Sequence, residues 1–436
     1  MSNKMRIPLK IAVFCAVFYV LCVCVAFLFR NDQGSYARVL MHELYEQDNI
    51  DIMYCGSSHV SHGIVPEVAD KMTGKNNFST GTAAQSIQGT YAILQQAVKL
   101  HKIEKVFLEM EFAITTQAPK EKRTGFKADY LVAKYIKDPK IRFEFLTSIS
   151  TPKYYLNHFL PIGKDKYMTL NPANLSYRFK SILSGDYFRY TYEDSDDEYA
   201  GKGCLLDVRT VKNGSFSETI TESPIAISAI SKDYQDTVDK IIGLCKAHDI
   251  ELIFYSMPCT DFYLNEKGNY DDYYSFCKAF TAARGYDFYD FNLAKETYMD
   301  FEDEDFRDDN HFNRQGVYKW TRAFWNYFLG DISKEDMFYT SYAEKMASQP
   351  DRIFGLIYHF SDDKRCLEIQ PVVNHVAQNR ITYDVYAVTG SGETVLAEKS
   401  HETTVKLPSG MSGHIRVISY LDGVQQNDCT EKFASF

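Results

Sequence analysis

The pattern of apolar and polar positions divides the chain into a membrane-type segment, an α/β part and a carboxyl-terminal β part. Residues 11–29 form an uncharged run of 19 positions, about 28 Å long as a helix, which is enough to span a bilayer. Residues 36–45 then repeat apolar positions at helical spacing. Five short apolar runs separated by helical patterns follow, at residues 50–55, 77–79, 105–110, 250–255 and 287–291.

The alternation of these runs with helical patterns predicts the α/β class, with a doubly wound five-stranded parallel sheet of the flavodoxin-like kind. Between about 113 and 228 the rhythm breaks, and Tyr-rich helical fragments predict a helical insertion. Beyond about 352, short alternating runs separated by Gly-rich turns predict a small β-sandwich. We therefore expect four parts: a cytoplasmic tip with a transmembrane anchor (1–30), the α/β domain (31–333), a helical linker (334–349) and the β-sandwich domain (350–436).

Charge predicts the orientation of the anchor and limits the partners. Lys4, Arg6 and Lys10 precede the apolar run, whereas only Arg30 follows it closely. The positive-inside rule therefore predicts a single-pass protein of the cell membrane with a cytoplasmic amino terminus and an extracellular remainder. No small-x-small cleavage site follows the run, so we expect an uncleaved anchor. The net charge of −10 has the wrong sign for holding nucleic acid.

The ten cysteines predict neither a disulfide framework nor a zinc site. Three lie in the anchor, and the remaining seven are an odd number without a C-x-x-C pair or zinc-type Cys/His spacing. We expect buried small side chains with at most one bridge, and the sequence leaves open whether Cys366 and Cys429 pair. No metal and no cofactor are expected.

Two loops carry residue types suited to nucleophilic catalysis. Ligands of an open parallel sheet lie beyond the carboxyl ends of its strands, where this chain has Gly-Ser-Ser-His at 56–59 and Asp-Asp-Asn-His at 308–311. An Asp three residues before a His can accept its Nδ1–H, which leaves Nε2 to take a serine proton. The structural alternatives are a common turn for the first motif and a helix cap for the second.

Taken in this order, the two blocks resemble the outer blocks of the SGNH, or GDSL-type, hydrolase superfamily over about 50–330, without the insertion. The resemblance implies that Ser58 is the nucleophile, Asp308 the orienting carboxylate and His311 the base. Gly81 is similar to the glycine of the family's second block. That similarity implies an oxyanion hole formed by the backbone N–H groups of Ser58 and Gly81.

The third block departs from the family. Where the family has Gly-x-Asn-Asp, with the Asn side chain as a further oxyanion donor, this chain has Glu-Met-Glu-Phe at 109–112. A carboxylate there would oppose an oxyanion unless it is protonated or turned away, and Gln85 or a backbone N–H is the candidate replacement. We consider His59, Gln85 and Glu111 as candidates for substrate contact. The alternative for His59 is a rim or packing position.

Within the superfamily, Gly-Ser-Ser in place of Gly-Asp-Ser and the single anchor resemble the proteins of lipoteichoic acid D-alanylation and alginate O-acetylation. Those proteins work beside membrane-bound O-acyltransferases. The resemblance implies an extracellular serine esterase or O-acyltransferase acting on acyl groups of cell-surface polysaccharide or teichoic acid, with a membrane-bound O-acyltransferase as partner. The alternative is a catalytically inactive envelope protein that kept the fold and binds glycan or a membrane partner.

Overall fold

The chain forms two compact units. The computed structural model describes residues 3–163, 165–211, 215–219, 230–266, 268, 270–363, 365–408 and 412–434. The first unit contains the described residues up to 205 together with 230–253, and the second contains those of 206–219 together with those from 254 onward. The predicted limits at residues 1, 228 and 436 lie outside the described residues.

Two helices open the first unit, α1 (Asn3–Phe29) and α2 (Tyr36–Glu46). Within α1, Ile7–Phe29 is long and apolar enough to cross a membrane, with 23 residues and a mean hydropathy of 3.0. It is the one helix of this kind among the described residues. In α2, Val39, Leu40 and Leu44 are buried, so the predicted amphipathic helix after the apolar segment is confirmed.

The first half of the α/β part follows the predicted alternation. Its elements are β1 (Ile52–Cys55), α3 (Ser58–Ser61), α4 (Pro66–Thr73), β2 (Asn77–Ser79), α5 (Ile87–Ala97), β3 (Lys105–Glu109) and α6 (Phe112–Thr115). Every residue of β1 and β2 is buried. The side chains of β1 are apolar throughout, as a strand covered on both faces requires. Ser86 sets the start of α5, since its hydroxyl accepts the N–H of Gly89 at 3.2 Å.

The insertion contains helices, as predicted, and also three strands that the sequence did not predict. Its elements are α7 (Lys127–Ala133), α8 (Pro139–Ser148), α9 (Tyr155–Phe159), α10 (Pro172–Ser184), β4 (Asp197–Gly201), β5 (Cys204–Asp207) and β6 (Phe216–Thr219). β4 and β5 form a two-stranded sheet. Their turn contacts the end of β2, where the N–H of Ser79 donates to the carbonyl of Lys202 at 2.9 Å. A backbone contact of this kind has no side-chain period that the sequence could display.

The strand–helix alternation resumes after the insertion. The elements are α11 (Lys232–Ala247), β7 (Glu251–Ser256), α12 (Asp261–Glu266), α13 (Tyr270–Ala282), β8 (Phe288–Asp290), α14 (Arg314–Leu329), α15 (Lys334–Met337) and α16 (Tyr342–Ser348). The five strands of the α/β part form one sheet in the order β2-β1-β3-β7-β8. The predicted five-stranded parallel sheet is thus confirmed, and its strand order is one that doubly wound folds use.

Antiparallel sheets make up the carboxyl-terminal part, as predicted. Its strands are β9 (Arg352–Phe360), β10 (Cys366–Asn374), β11 (Ile381–Thr389), β12 (Gly392–Ser400), β13 (Thr404–Lys406), β14 (Ser412–Leu421) and β15 (Val424–Ala434). Together with β6 of the insertion, these seven strands form two four-stranded sheets, β13-β10-β9-β6 and β12-β11-β14-β15. Both sheets contribute to one buried apolar cluster that includes Leu356, Tyr358, Val385 and Val417. Strand β6 of the insertion pairs in parallel with β9, which the sequence did not predict.

All ten cysteines are free. Cys366 is partly exposed and Cys429 is buried, and no bridge joins them. Five of the cysteines outside α1 are buried: Cys55, Cys204, Cys245, Cys277 and Cys429. They fill the core as small apolar side chains, as expected.

Candidate functional site

A tight turn places Ser58 at the beginning of α3, directly after β1. The hydroxyl of Ser57 accepts the N–H of His59 at 3.4 Å, and the carbonyl of Ser58 accepts hydrogen bonds from the hydroxyl of Ser61 at 2.9 Å and Nδ1 of His62 at 3.0 Å. Ser58 itself is half-buried. The serine predicted to be the nucleophile is therefore held by short-range bonds on both sides, in a loop with little freedom to move.

Gly81 lies against this loop. A Cβ at Gly81 would lie 2.0 Å from the carbonyl oxygen of Ser57 and 2.9 Å from the backbone nitrogen of Ser61. Real Cβ atoms do not approach this closely, so only glycine fits. The structure thus brings Gly81 and the Ser58 turn together at backbone distance.

Gln85 forms a hydrogen bond with the same loop through the carbonyl of Gly56. Its Nε2 donates to the carbonyl of Gly56 and to the hydroxyl of Thr90, each at 2.9 Å, and its Oε1 accepts the hydroxyl of Thr82 at 2.9 Å. The side chain is buried. Substrate contact by Gln85 stays a prediction, and it would require the amide to give up one of these bonds.

A buried cluster of one histidine and two glutamates lies beside the Ser58 turn. Nδ1 of His59 is 3.2 Å from Oε1 of Glu109, and Nε2 of His59 is 3.8 Å from Oε1 of Glu111. The hydroxyl of Ser57 donates to the other oxygen of Glu111. We call His59, Glu109 and Glu111 the Glu-His-Glu cluster. The two carboxylates of the Glu-Met-Glu-Phe segment thus face an imidazole and a hydroxyl.

The Glu-His-Glu cluster is also the group of described residues that could hold a metal ion, because one ligand atom from each lies within 4.8 Å of the others. No metal was expected, because the chain lacks zinc-type Cys/His spacing and Glu109 is 50 positions from His59. An ion would have to replace the bond between His59 and Glu109 and that between Ser57 and Glu111. The donor set of nitrogen and carboxylate oxygens would suit zinc or a similar divalent metal.

The hairpin of the insertion reaches α3. Nε2 of His62 lies 3.2 Å from Oδ1 of Asp197 in β4, and both side chains are largely buried. Sequence reasoning missed this contact, because Asp197 belongs to the acidic segment 193–198, and nothing in its spacing points to His62. The insertion therefore contributes to the wall of the Ser58 loop.

In the second unit, the structure brings Asp308 and His311 together. Nδ1 of His311 lies 2.9 Å from Oδ1 of Asp308 and 3.1 Å from Oδ2, and the backbone N–H of His311 donates to Oδ1 at 2.8 Å. The imidazole is largely buried, whereas 42% of the Asp308 side chain is exposed. A carboxylate bound at Nδ1 fixes the ring orientation and assigns proton transfer to Nε2.

Arg307 supports this pair, and sequence reasoning did not find it. Its Nε donates to Oδ2 of Asp308 at 3.1 Å, and its Nη1 donates to Oδ2 of the fully buried Asp207 at 3.0 Å. Burial alone would raise the pKa of Asp308. The hydrogen bond from His311 and the positive charges of His311 and Arg307 outweigh it, so the pKa is lowered well below its usual range. Asp308 is therefore a carboxylate at neutral pH.

The predicted site residues fall in two groups. Ser58, Gly81, His59, Gln85 and Glu111 belong to the first unit, and Asp308 and His311 belong to the second. No protein-family model matches the chain, and no curated protein matches its sequence. A functional assignment therefore has to be argued from these residues.

Proposed function

We propose that this chain is a membrane-anchored, extracellular SGNH-like serine esterase or O-acyltransferase that acts on acyl groups of cell-surface polysaccharide or teichoic acid. The Asp308–His311 pair carries the proposal, because its 2.9 Å bond at Nδ1 is the arrangement that a general base requires. Gly81 supports it, since its backbone lies against the turn that holds Ser58.

In the proposed reaction, Ser58 attacks the acyl carbonyl while Nε2 of His311 takes the hydroxyl proton. Asp308 stabilises the imidazolium, and the N–H groups of Ser58 and Gly81 stabilise the oxyanion. His311 then returns the proton to the departing oxygen, which leaves an acyl ester on Ser58. Water or an acceptor hydroxyl releases the acyl group in a second step. The mechanism requires Ser58 Oγ and His311 Nε2 to come within about 3 Å in the reactive complex.

Anchoring favours transfer to a polymer hydroxyl over hydrolysis. The basic residues before the apolar run 11–29 favour a cytoplasmic amino terminus and a body outside the membrane. A tether raises the effective concentration of the enzyme beside a membrane-embedded donor, such as a membrane-bound O-acyltransferase, and beside the polymer. The proposed chemistry needs no cofactor.

A serine-directed fluorophosphonate probe tests the proposal on the full-length protein. We expect labelling of the wild type, and we expect both Ser58→Ala and His311→Ala to abolish it. The matched controls are Ser195→Ala and His248→Ala, because both residues are exposed. Circular dichroism confirms that each variant is folded.

Labelling that survives in folded Ser58→Ala and His311→Ala would reject the proposed nucleophile and base. If the wild type is not labelled but is retained on a glycan affinity column, the catalytically inactive binding protein is the correct interpretation. Acyl transfer from a chromogenic ester to a soluble glycan, measured against release into water, distinguishes transferase from esterase.

A further inference from the structure

A cavity lies between α1 and the insertion, within the first unit. Its volume is about 240 Å³. Tyr19 and Val23 of α1 line one side, and helices α7, α8 and α9 contribute Leu131, Leu146 and Phe159. Tyr19 precedes Arg30 by eleven residues, about 16 Å along the helix. If α1 spans a bilayer, the cavity extends from within the apolar layer to its outer surface.

The same cavity carries an excess of positive charge. Asp32 is the one carboxylate among its described lining residues. Four cationic side chains also line it: Arg30, Lys134, Arg142 and Lys166. Asp32 is also shared, because both Lys134 and Arg178 pair with it. One carboxylate thus faces several cations, which an anion could balance.

Two of these cations retain donors for a ligand. The described bonds of the Arg30 guanidinium go to the carbonyls of Lys166 at 3.2 Å and Pro161 at 2.7 Å, which use two of its five N–H groups. Nζ of Lys166 donates to the carbonyl of His158 at 3.0 Å and lies 3.1 Å from the centre of the Tyr130 ring. These backbone bonds already hold the cationic groups in place, so binding an anion would cost little additional side-chain entropy.

Burial supports the same conclusion. It lowers the pKa of Lys166 to about 7, with Arg30 acting in the same direction and Asp165 opposing both. Burial followed by the charges of Arg30 and Arg178 also lowers the pKa of Lys134. Cations that destabilise one another in this way are stabilised by an anion placed among them.

The outer surface of the insertion is suited to lipid contact. It exposes six large apolar side chains: Phe143, Leu156, Leu170, Phe179, Leu183 and Phe188. In α10, Arg178 donates to the carbonyl of Arg30 and lies over the ring of Phe27. Exposed apolar residues on an element bound to the end of a membrane-type helix are typical of an interfacial surface.

We propose that the cavity between α1 and the insertion binds an anionic membrane phospholipid. Lys134, Lys166 and Arg30 hold the phosphate, and an acyl chain lies against Tyr19 and Val23. The proposal rests on the membrane anchoring proposed above but not on the esterase chemistry. A lipid bound here would fix the insertion, and through β4 the Ser58 loop, at the membrane surface.

The test uses the full-length protein in nanodiscs of phosphatidylcholine containing a minority of phosphatidylglycerol. After mild detergent extraction, native mass spectrometry counts the lipids that remain bound. We expect one retained phosphatidylglycerol, enriched about fivefold or more over its share of the bilayer. Val23→Trp, which fills the cavity, should lower retention to the bulk ratio. Val20→Trp is the matched control, because Val20 is exposed on α1 and does not line the cavity.

Lys166→Gln is the second variant, and it should remove the preference for phosphatidylglycerol while leaving the protein folded. Retention of both lipids in the bulk ratio by the wild type would overturn the proposal. So would thermal stabilisation by inorganic phosphate that matches stabilisation by phosphatidylglycerol, since the site would then bind free phosphate. A protein that carbonate washing strips from membranes would overturn both the anchoring and the lipid site. Loss of fluorophosphonate labelling, by contrast, concerns the esterase chemistry alone.

Discussion

Two histidine–carboxylate pairs in this molecule differ in burial and in the separation of their partners along the chain. In the second unit, His311 meets Asp308 three residues earlier, and the Asp308 side chain is 42% exposed. In the first unit, His59 meets Glu109, which is 50 positions later, and at most 2% of either side chain is exposed. The same two chemical groups therefore occur in opposite environments.

Burial determines which role suits each pair. Asp308 is half-exposed, so water screens its pair with His311 and the pair adds little to folding stability. The His311 ring is largely buried, but the Asp308 carboxylate at Nδ1 offsets the desolvation cost of protonating it. The buried pair cannot exchange charge cheaply, and it fastens the β1–α3 turn to β3. This difference is consistent with the proton transfer proposed for His311, and it suits His59 to positioning of the Ser58 loop.

The largest expected effect is on activity at the half-exposed pair. Asp308→Asn should lower ester turnover by roughly 10²- to 10⁴-fold, because an amide can hold the ring in the tautomer that lacks a base at Nε2. A chromogenic acyl ester measures the rate. Asp309→Asn makes the same change one residue away and should leave turnover within a factor of about two. An Asp308→Asn protein with more than about a tenth of wild-type turnover would show that His311 is not the base.

Gly81→Ala tests how closely Gly81 packs against the Ser58 loop in the first unit. A methyl group 2.0 Å from the Ser57 carbonyl must displace the loop, so we expect a loss of about 3 kcal/mol of unfolding free energy and reduced fluorophosphonate labelling. Hydrogen exchange of the β1 amides measures the first effect. Gly243→Ala is the control, because a Cβ there meets nothing within 4 Å and helix α11 should gain about 0.5 kcal/mol. Equal stability of the two variants would contradict the packing argument.

Glu109→Ala breaks the buried pair directly. Loss of the carboxylate at Nδ1 of His59 should cost about 2 kcal/mol, seen as faster hydrogen exchange in β1 and β3. Glu104→Ala removes the exposed partner of Lys75, whose side chain is 43% exposed, and should cost less than about 1 kcal/mol. Equal losses of unfolding free energy in Glu109→Ala and Glu104→Ala would show that burial does not make the His59–Glu109 pair more stabilising than the exposed Lys75–Glu104 pair.

The smallest expected effect is the pH dependence of the half-exposed pair. Because the pKa of Asp308 is lowered in the folded protein, its ionised form contributes stability above the usual Asp pKa, near about pH 4. That contribution disappears as the pH falls further, through the lowered pKa. Thermal midpoints of the wild type and Asp308→Asn should differ by the equivalent of about 1 kcal/mol or less at pH 7 and converge toward pH 2. A difference that grows on acidification would reverse the sign of the interaction.

The site was predictable where its partners are close in sequence. The spacing from Asp308 to His311 specifies a contact that local backbone geometry can make, and the structure contains it. Glu109 and Glu111 appeared only as a departure from a motif, because nothing in their spacing points to His59. Arg307 and Asp207 were missed for the same reason, since they are 100 positions apart.

Local sequence patterns were enough to predict the apolar helix within Ile7–Phe29, the five parallel strands and the carboxyl-terminal sheets. Each of these depends on the period with which side chains are buried, and that period can be read within one segment of the chain. The Glu-His-Glu cluster, the pairing of β6 with β9 and the cationic cavity beside α1 became visible only in the folded chain. These depend on which distant segments meet, and the free energy of such contacts belongs to the packed chain rather than to any one segment.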